Sequence, residues 1–255
     1  MTRAFTASMP TSYRQRFKPA DVERHAQIAA QRGTRPSHVD MFFSSPEVSG
    51  LCIVADDRPG LLWLISAALF AEELDVTKAH IYCRRRSDGR TEAVDLVRVR
   101  HAPGSARKGP LCDEDVIRLG ERLECLVTFR EKAKARCSPP RPNVGSTTAS
   151  DPPRVTFVVD AETGSAMLAI EAPDRVGLLL EIAHALFQEG VQIVRAELAT
   201  IGSRALDTFY VLELDGAPMS VTRRAQIESA AHAALSRVQL DHGLGAHYPD
   251  RRPAQ

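Results

Sequence analysis

The sequence predicts an α+β protein built from two like modules, each running strand, helix, strand, strand, helix. Three observations predict it. Residues 55–62, Ala-Asp-Asp-Arg-Pro-Gly-Leu-Leu, return at residues 172–179 as Ala-Pro-Asp-Arg-Val-Gly-Leu-Leu. The echo continues at constant spacing: Ile65 answers Ile182, Ala68-Leu69-Phe70 answers Ala185-Leu186-Phe187, Glu72 answers Glu189 and Ala79 answers Ala196. In both copies a helical pattern is followed by two strand-like stretches. A match sustained that far marks an internal duplication.

Taken in order, residues 1–12 are polar without periodicity and are expected as a disordered tail. Residues 13–38 read as an N-terminal helical segment. Pro19 suits a first turn, Asp21 and Glu23 favour the positive helix end, and Val22, Ala26 and Ala29 share one face before Gly33 stops it. The first module is expected over residues 39–136, opening with a short strand at 39–43. A buried strand at 49–55 leads into an amphipathic helix at 61–73, where Leu61, Leu62, Ile65, Ala68 and Leu69 form the apolar arc. Asp57 is a candidate cap for that helix, and Pro59 fits its first turn. Residues 75–84 alternate Thr77, Ala79, Ile81 and Cys83 with Lys78, His80, Tyr82 and Arg84, the period of a half-buried strand. A turn centred on Asp88-Gly89 returns the chain as a strand at 92–100, which makes a hairpin. Val116, Leu119, Leu123, Leu126 and Val127 place a helix within residues 113–135.

Residues 137–153 are rich in Pro, Ser and Thr and read as a linker. The second module is expected over residues 154–240. A strand at 154–160 either completes the first module or begins the second. Then follow a strand at 166–172, a helix at 177–189, a strand at 191–201, a tight turn at Gly202-Ser203, a strand at 204–214 and a helix at 221–237. Residues 241–255 form a tail. With little strand signal after 237, the last strand of the second module is expected from elsewhere, with 39–43 as the candidate donor.

Composition narrows the class. A chain of 255 residues that is 44% hydrophobic can bury one or two modest cores. Its formal charge of +1 argues against a nucleic-acid partner, which calls for a clustered basic surplus. The run Arg84-Arg85-Arg86 reads as a solvated loop. With no apolar run of ~18 residues and no apolar centre near Met1, no membrane partner is expected and a cytoplasmic location is. Cys52, Cys83, Cys112, Cys125 and Cys137 are odd in number and widely spaced, as reduced thiols would be. His80, His184 and His232 are expected on solvated surfaces, and Trp63 in the core or between modules. No metal and no cofactor are expected, and no nucleophile elbow, P-loop or dinucleotide fingerprint occurs.

The repeated turn is the candidate site. A strand that ends in Asp-Arg-x-Gly and opens a helix aims backbone N–H groups at the space above it. Gly60 and Gly177 lack a Cβ, so a guest can approach the main chain. A small carboxylate suits such a helix end, neighbouring carbonyls can receive an ammonium, and an α-amino acid matches both. The site residues on this reading are Asp57, Arg58, Gly60 and Leu61 with Asp174, Arg175, Gly177 and Leu178; no catalytic residue is assigned. A tight turn with nothing bound is the plainer alternative.

Asp57-Arg58-Pro59-Gly60-Leu61-Leu62 and Asp174-Arg175-Val176-Gly177-Leu178-Leu179, each within such a module, resemble the signature of ACT domains. The phrase Ala205-Leu206-Asp207-Thr208-Phe209-Tyr210-Val211 adds to the likeness, and Val176 departs from the usual Pro. The paired form is similar to the C-terminal regulatory region of the bifunctional uridylyltransferase/uridylyl-removing family that modifies PII. Residues 13–33, with Phe17, Pro19 and His25, resemble the segment preceding the first ACT domain there. The resemblance implies two ferredoxin-like βαββαβ modules, with antiparallel sheets and helices on one face. It also implies a regulatory role in nitrogen or amino-acid metabolism, with glutamine as candidate ligand and a PII-type protein or an enzyme as partner; the edge strands suggest a homo-oligomer. The family's Asp-x-Asp and His-Asp metal motifs are missing, so no enzyme activity is expected. The alternatives are enzymatic action on PII and a ligand-free dimerisation module.

Overall fold

The computed structural model describes residues 1–129, 152–159, 166–217 and 219–240. The first half contains α1 (Thr2–Ser8), α2 (Thr11–Arg16), α3 (Pro19–Gln31), β1 (Ser37–Ser44), β2 (Ser49–Asp56), α4 (Leu61–Ala71), β3 (Leu74–Arg85), β4 (Thr91–His101) and α5 (Asp113–Thr128). The second contains β5 (Arg154–Val159), β6 (Ala166–Pro173), α6 (Leu178–Gln188), β7 (Val191–Ile201), β8 (Arg204–Glu213) and α7 (Val221–Leu240). The linker at 137–153 and the tail at 241–255 lie outside the described residues except for Pro152 and Pro153.

Among the described residues, the strands join in one antiparallel sheet of order β1-β2-β4-β3-β7-β8-β6-β5. The halves meet where β3 pairs with β7, from Lys78 opposite Ala199 to Tyr82 opposite Arg195. This seam is self-complementary: Ala79 faces Leu198 and Ile81 faces Ala196, so replacing each residue by its repeat counterpart reproduces the same pairs. The duplication therefore folds as a pseudo-twofold pair within one chain.

Each half takes its outer strand from the segment before its repeat. Residues 39–43 do not cross to the second half: Val39 lies opposite Ile53 and Met41 opposite Leu51 on β2. The short loop accounts for this, because Ser45 N–H reaches the Val48 carbonyl at 3.0 Å and closes a local hairpin at little entropic cost. The equivalent place in the second half is filled by β5, with Val155 opposite Ile170.

Helices α4 to α7 pack on one face of the sheet through their apolar arcs, with Ile65, Leu69, Leu119, Leu123, Ile182, Leu186 and Ile227 against Leu51, Ile53, Leu168 and Phe209. The expected one-sided layering holds for these four helices only. Helices α1 to α3 cover the other face of the first half, setting Phe5, Met9, Tyr13 and Ala26 over Cys52, Val54, Tyr82 and Val94. Residues 1–12 are accordingly largely helical rather than disordered. Phe5, Met9 and Tyr13 recur every fourth residue and so share a helical side, a stripe too sparse to stand out among polar neighbours. This cover explains a difference between the halves: β2 is buried along residues 49–55, whereas β6 alternates between buried and half-buried positions. It also corrects the reading of His80, which is buried beside Phe17 and Tyr82.

Candidate functional site

The two turns are built alike. In each, the glycine before the helix has left-handed backbone, φ 80° at Gly60 and φ 83° at Gly177, a conformation that costs glycine least. Leu61 N–H bonds the Arg58 carbonyl at 3.1 Å, and Leu178 N–H bonds the Arg175 carbonyl at 3.1 Å. The turns are pinned to the tips of the hairpins by Asp57 N–H to the Thr91 carbonyl at 3.0 Å and Asp174 N–H to the Ser203 carbonyl at 2.8 Å.

Each turn overlooks a cleft whose far wall belongs to the other half. The first cleft holds Asp57, Arg58, Gly60 and Leu61 against Ala183 and Phe187 of α6 and Val191 and Ile193 of β7. The second holds Asp174, Arg175, Gly177 and Leu178 against Ser66, Leu69 and Phe70 of α4 and the start of β3. Counted out to their open mouths, the clefts contain about 410 and 490 Å³ of empty space. The eight residues singled out from the sequence thus gather into two groups of four.

Their roles differ in detail from expectation. Asp57 does not cap α4, whose N-cap residue is Gly60 and which has no side-chain cap. Its carboxylate instead accepts a bond from Gln192 Nε2 at 2.9 Å, across the seam. The arginine heads hold the scaffold: Arg58 Nη2 donates to the Val127 carbonyl at 2.5 Å, and Arg175 forms a two-pronged pair with Glu181, one contact at 2.9 Å. Gly60 does not stand bare. A Cβ there would lie 2.6 Å from the Phe187 ring, which stacks on Trp63 with centroids 5.2 Å apart and planes 8° from parallel.

Two further acids face the clefts and were not anticipated. Asp95 on β4 lines the first cleft, and Asp207 on β8 lines the second. They are counterparts, since Asp95 lies opposite Ile53 and Asp207 opposite Ile170 at the same place in each half. The available signal was parity. Ala205, Asp207, Phe209 and Val211 all point to the core, so the acid sits in an inward row. Burial pushes the Asp95 carboxyl well above the usual carboxylate range, with Asp57 adding to it. Burial pushes Asp207 up to about 7, reinforced by Asp174. Asp57 and Asp174 are raised too, chiefly by burial, although hydrogen bonds oppose the shift: Cys83 and Gln192 at Asp57, Thr200 at Asp174.

No family model matches the sequence. Among curated proteins, the bifunctional uridylyltransferase/uridylyl-removing enzyme of Phenylobacterium zucineum is 29% identical over 240 residues, covering 92% of this chain and 24% of that protein. The same enzyme of Rhodospirillum rubrum is 32% identical over 195 residues, covering 74% of this chain and 20% of that protein. This chain is similar to part of that enzyme. It spans about a quarter or less of the length of these uridylyltransferase relatives. Among solved structures, aspartate kinase from Synechocystis aligns over 76% of this chain and 27% of its own, at 14% identity and a TM-score of 0.36, too loose to bear on function. Among the described residues, no helix is long and apolar enough to cross a membrane.

Proposed function

We propose that this chain is a regulatory sensor of a small amino acid, with glutamine as the first candidate, and that it acts in nitrogen or amino-acid metabolism without catalysing a reaction itself. Residues 39–136 and 154–240 are its two ACT modules. One observation carries the reading: the duplicated turn faces a cleft walled by the other half, so a guest at either turn touches both modules and can alter how they sit together. The similarity to part of the uridylyltransferase supports a regulatory role and makes a PII-type protein the first partner class to test; the outer strands offer edges to a second copy.

A guest that binds only the folded chain raises its melting temperature by mass action. A panel of the twenty amino acids at millimolar concentration is expected to give a shift for at least one of them, and Gly177→Val is expected to reduce it. No shift for any would leave the reading without support. The rival, a ligand-free pairing module, draws on Phe187 covering Gly60 and predicts that outcome. Enzymatic action is tested by mixing the chain with PII and UTP, where transfer of label to PII would replace the sensor reading.

A further inference from the structure

We propose that both clefts are amine sites, in which Asp95 and Asp207 receive the ammonium group of the guest. The inference rests on the sensor reading and names its chemistry.

An acid on the core side of a strand is costly, and here it occurs twice at equivalent places. Asp95 is 1% exposed, and its Oδ1 has no hydrogen-bond partner among the described residues. An unsatisfied buried oxygen destabilises the fold, so an oxygen of this kind lining a cleft is a natural acceptor for a guest. Each cleft also holds a turn carboxyl, Asp57 beside Asp95 and Asp174 beside Asp207, so two acids face one small space.

Among the described residues, the arginines that line or border the clefts are committed elsewhere. Arg58 is bonded to the Val127 carbonyl and Arg175 to Glu181, while Arg100, near the second cleft, is held by Asp75 at 2.9 Å. Burial already disfavours the ionised form of these acids, and a carboxylate alone entering either cleft would press them further toward the protonated form. An ammonium brings the opposite charge and the N–H donor that Asp95 Oδ1 lacks; Asp207 already accepts the Ala199 amide and has its remaining lone pairs for the guest. An amino acid can present its amine to the strand acid and its carboxylate toward the helix end.

The test is isothermal titration of the full chain at pH 8 with L-glutamine and the other nineteen amino acids, each binder then being compared with its deaminated analogue, which for glutamine is 5-amino-5-oxopentanoate. The expected result is binding that weakens at least tenfold when the amine is removed, and at least tenfold in the Asp95→Asn/Asp207→Asn double variant. The comparison on the unaltered protein needs no variant to fold. If the deaminated analogue binds equally, or the double variant binds the amino acid unchanged, the amine assignment is overturned while the sensor reading stands. If no amino acid binds the unaltered chain, the sensor reading falls and takes the assignment with it.

Discussion

Replacing Asp207 by Asn should make the protein's stability less dependent on pH between about 4 and 7. The carboxyl lies on the inward row of β8 and is raised from 3.8 to about 7. A group whose folded value is raised holds its proton in the folded state after the unfolded chain has released it. For an acid this means that stability is greatest below the unfolded value and falls as pH climbs toward the folded one, after which it is level. A rise of about three units corresponds to ~4 kcal/mol lost between pH 4 and pH 8 on this group's account. Asn keeps the shape and an oxygen to accept the Ala199 amide bond, but has no proton to lose. Urea unfolding of both proteins at pH 4 and pH 8 gives the comparison. The variant's stability relative to the parent should be higher at pH 8 than at pH 4 by a few kcal/mol. Because Asp57, Asp95 and Asp174 are raised as well, some slope remains in the variant, and only the difference is diagnostic. A difference below ~1 kcal/mol would refute the placement of an ionisable carboxyl in that buried row.

Gly60→Ala should cost about 2 kcal/mol or more, since it adds contact with Phe187 to the penalty of a left-handed residue, whereas Gly89→Ala, equally left-handed at φ 82° but with open space around it, should cost only about 1 kcal/mol. Equal shifts in the urea midpoint would deny the contact. Phe187→Ala should change the emission of Trp63, the chain's one tryptophan, by removing the ring stacked on it; an unchanged spectrum contradicts the stack. Removing residues 1–31 should open Cys52 to alkylation, read by peptide mass spectrometry, because α1 to α3 set Phe5, Met9, Tyr13 and Ala26 over that face of β2; protection equal to that of the full chain would mean the helices do not shield it.

The parts of the fold legible in the sequence were those with a local signature written twice. The turn at Gly60 and Gly177, the apolar arc of the helix after Gly60 and the alternation of β3 need no long-range information, and the helix and the strand lie near the bounds read for them. What escaped depended on contacts distant in sequence. Residues 1–12 and Tyr13 offer three apolar side chains that matter only because the back of β2 and β3 lies beneath them. His80 alternates as a solvated strand residue would, and it is buried only because Phe17 lies against it. The 39–43 strand's partner is not legible because strand signal says nothing of partner, while the short loop at residues 45–48 keeps it in the first half and leaves β5 as the outer strand of the second. At the site, the turns were readable from their glycines, but Asp95 and Asp207 were not, since a lone acid in a strand has no motif and gains meaning only from the row it faces. Phe187 was likewise seen as part of the repeat, and its place over Gly60 follows only from joining the halves.

The self-complementary join between β3 and β7 has an evolutionary corollary. Two separate but identical subunits meeting on such an axis would share every mutation, and their paired hollows would stay the same. Tethered in one polypeptide, the copies are free to drift apart: Trp63 is matched by Leu180, Cys83 by Thr200 and Asp75 by Gln192. A single molecule can therefore house two compartments of common ancestry tuned to different occupants or different concentrations of one.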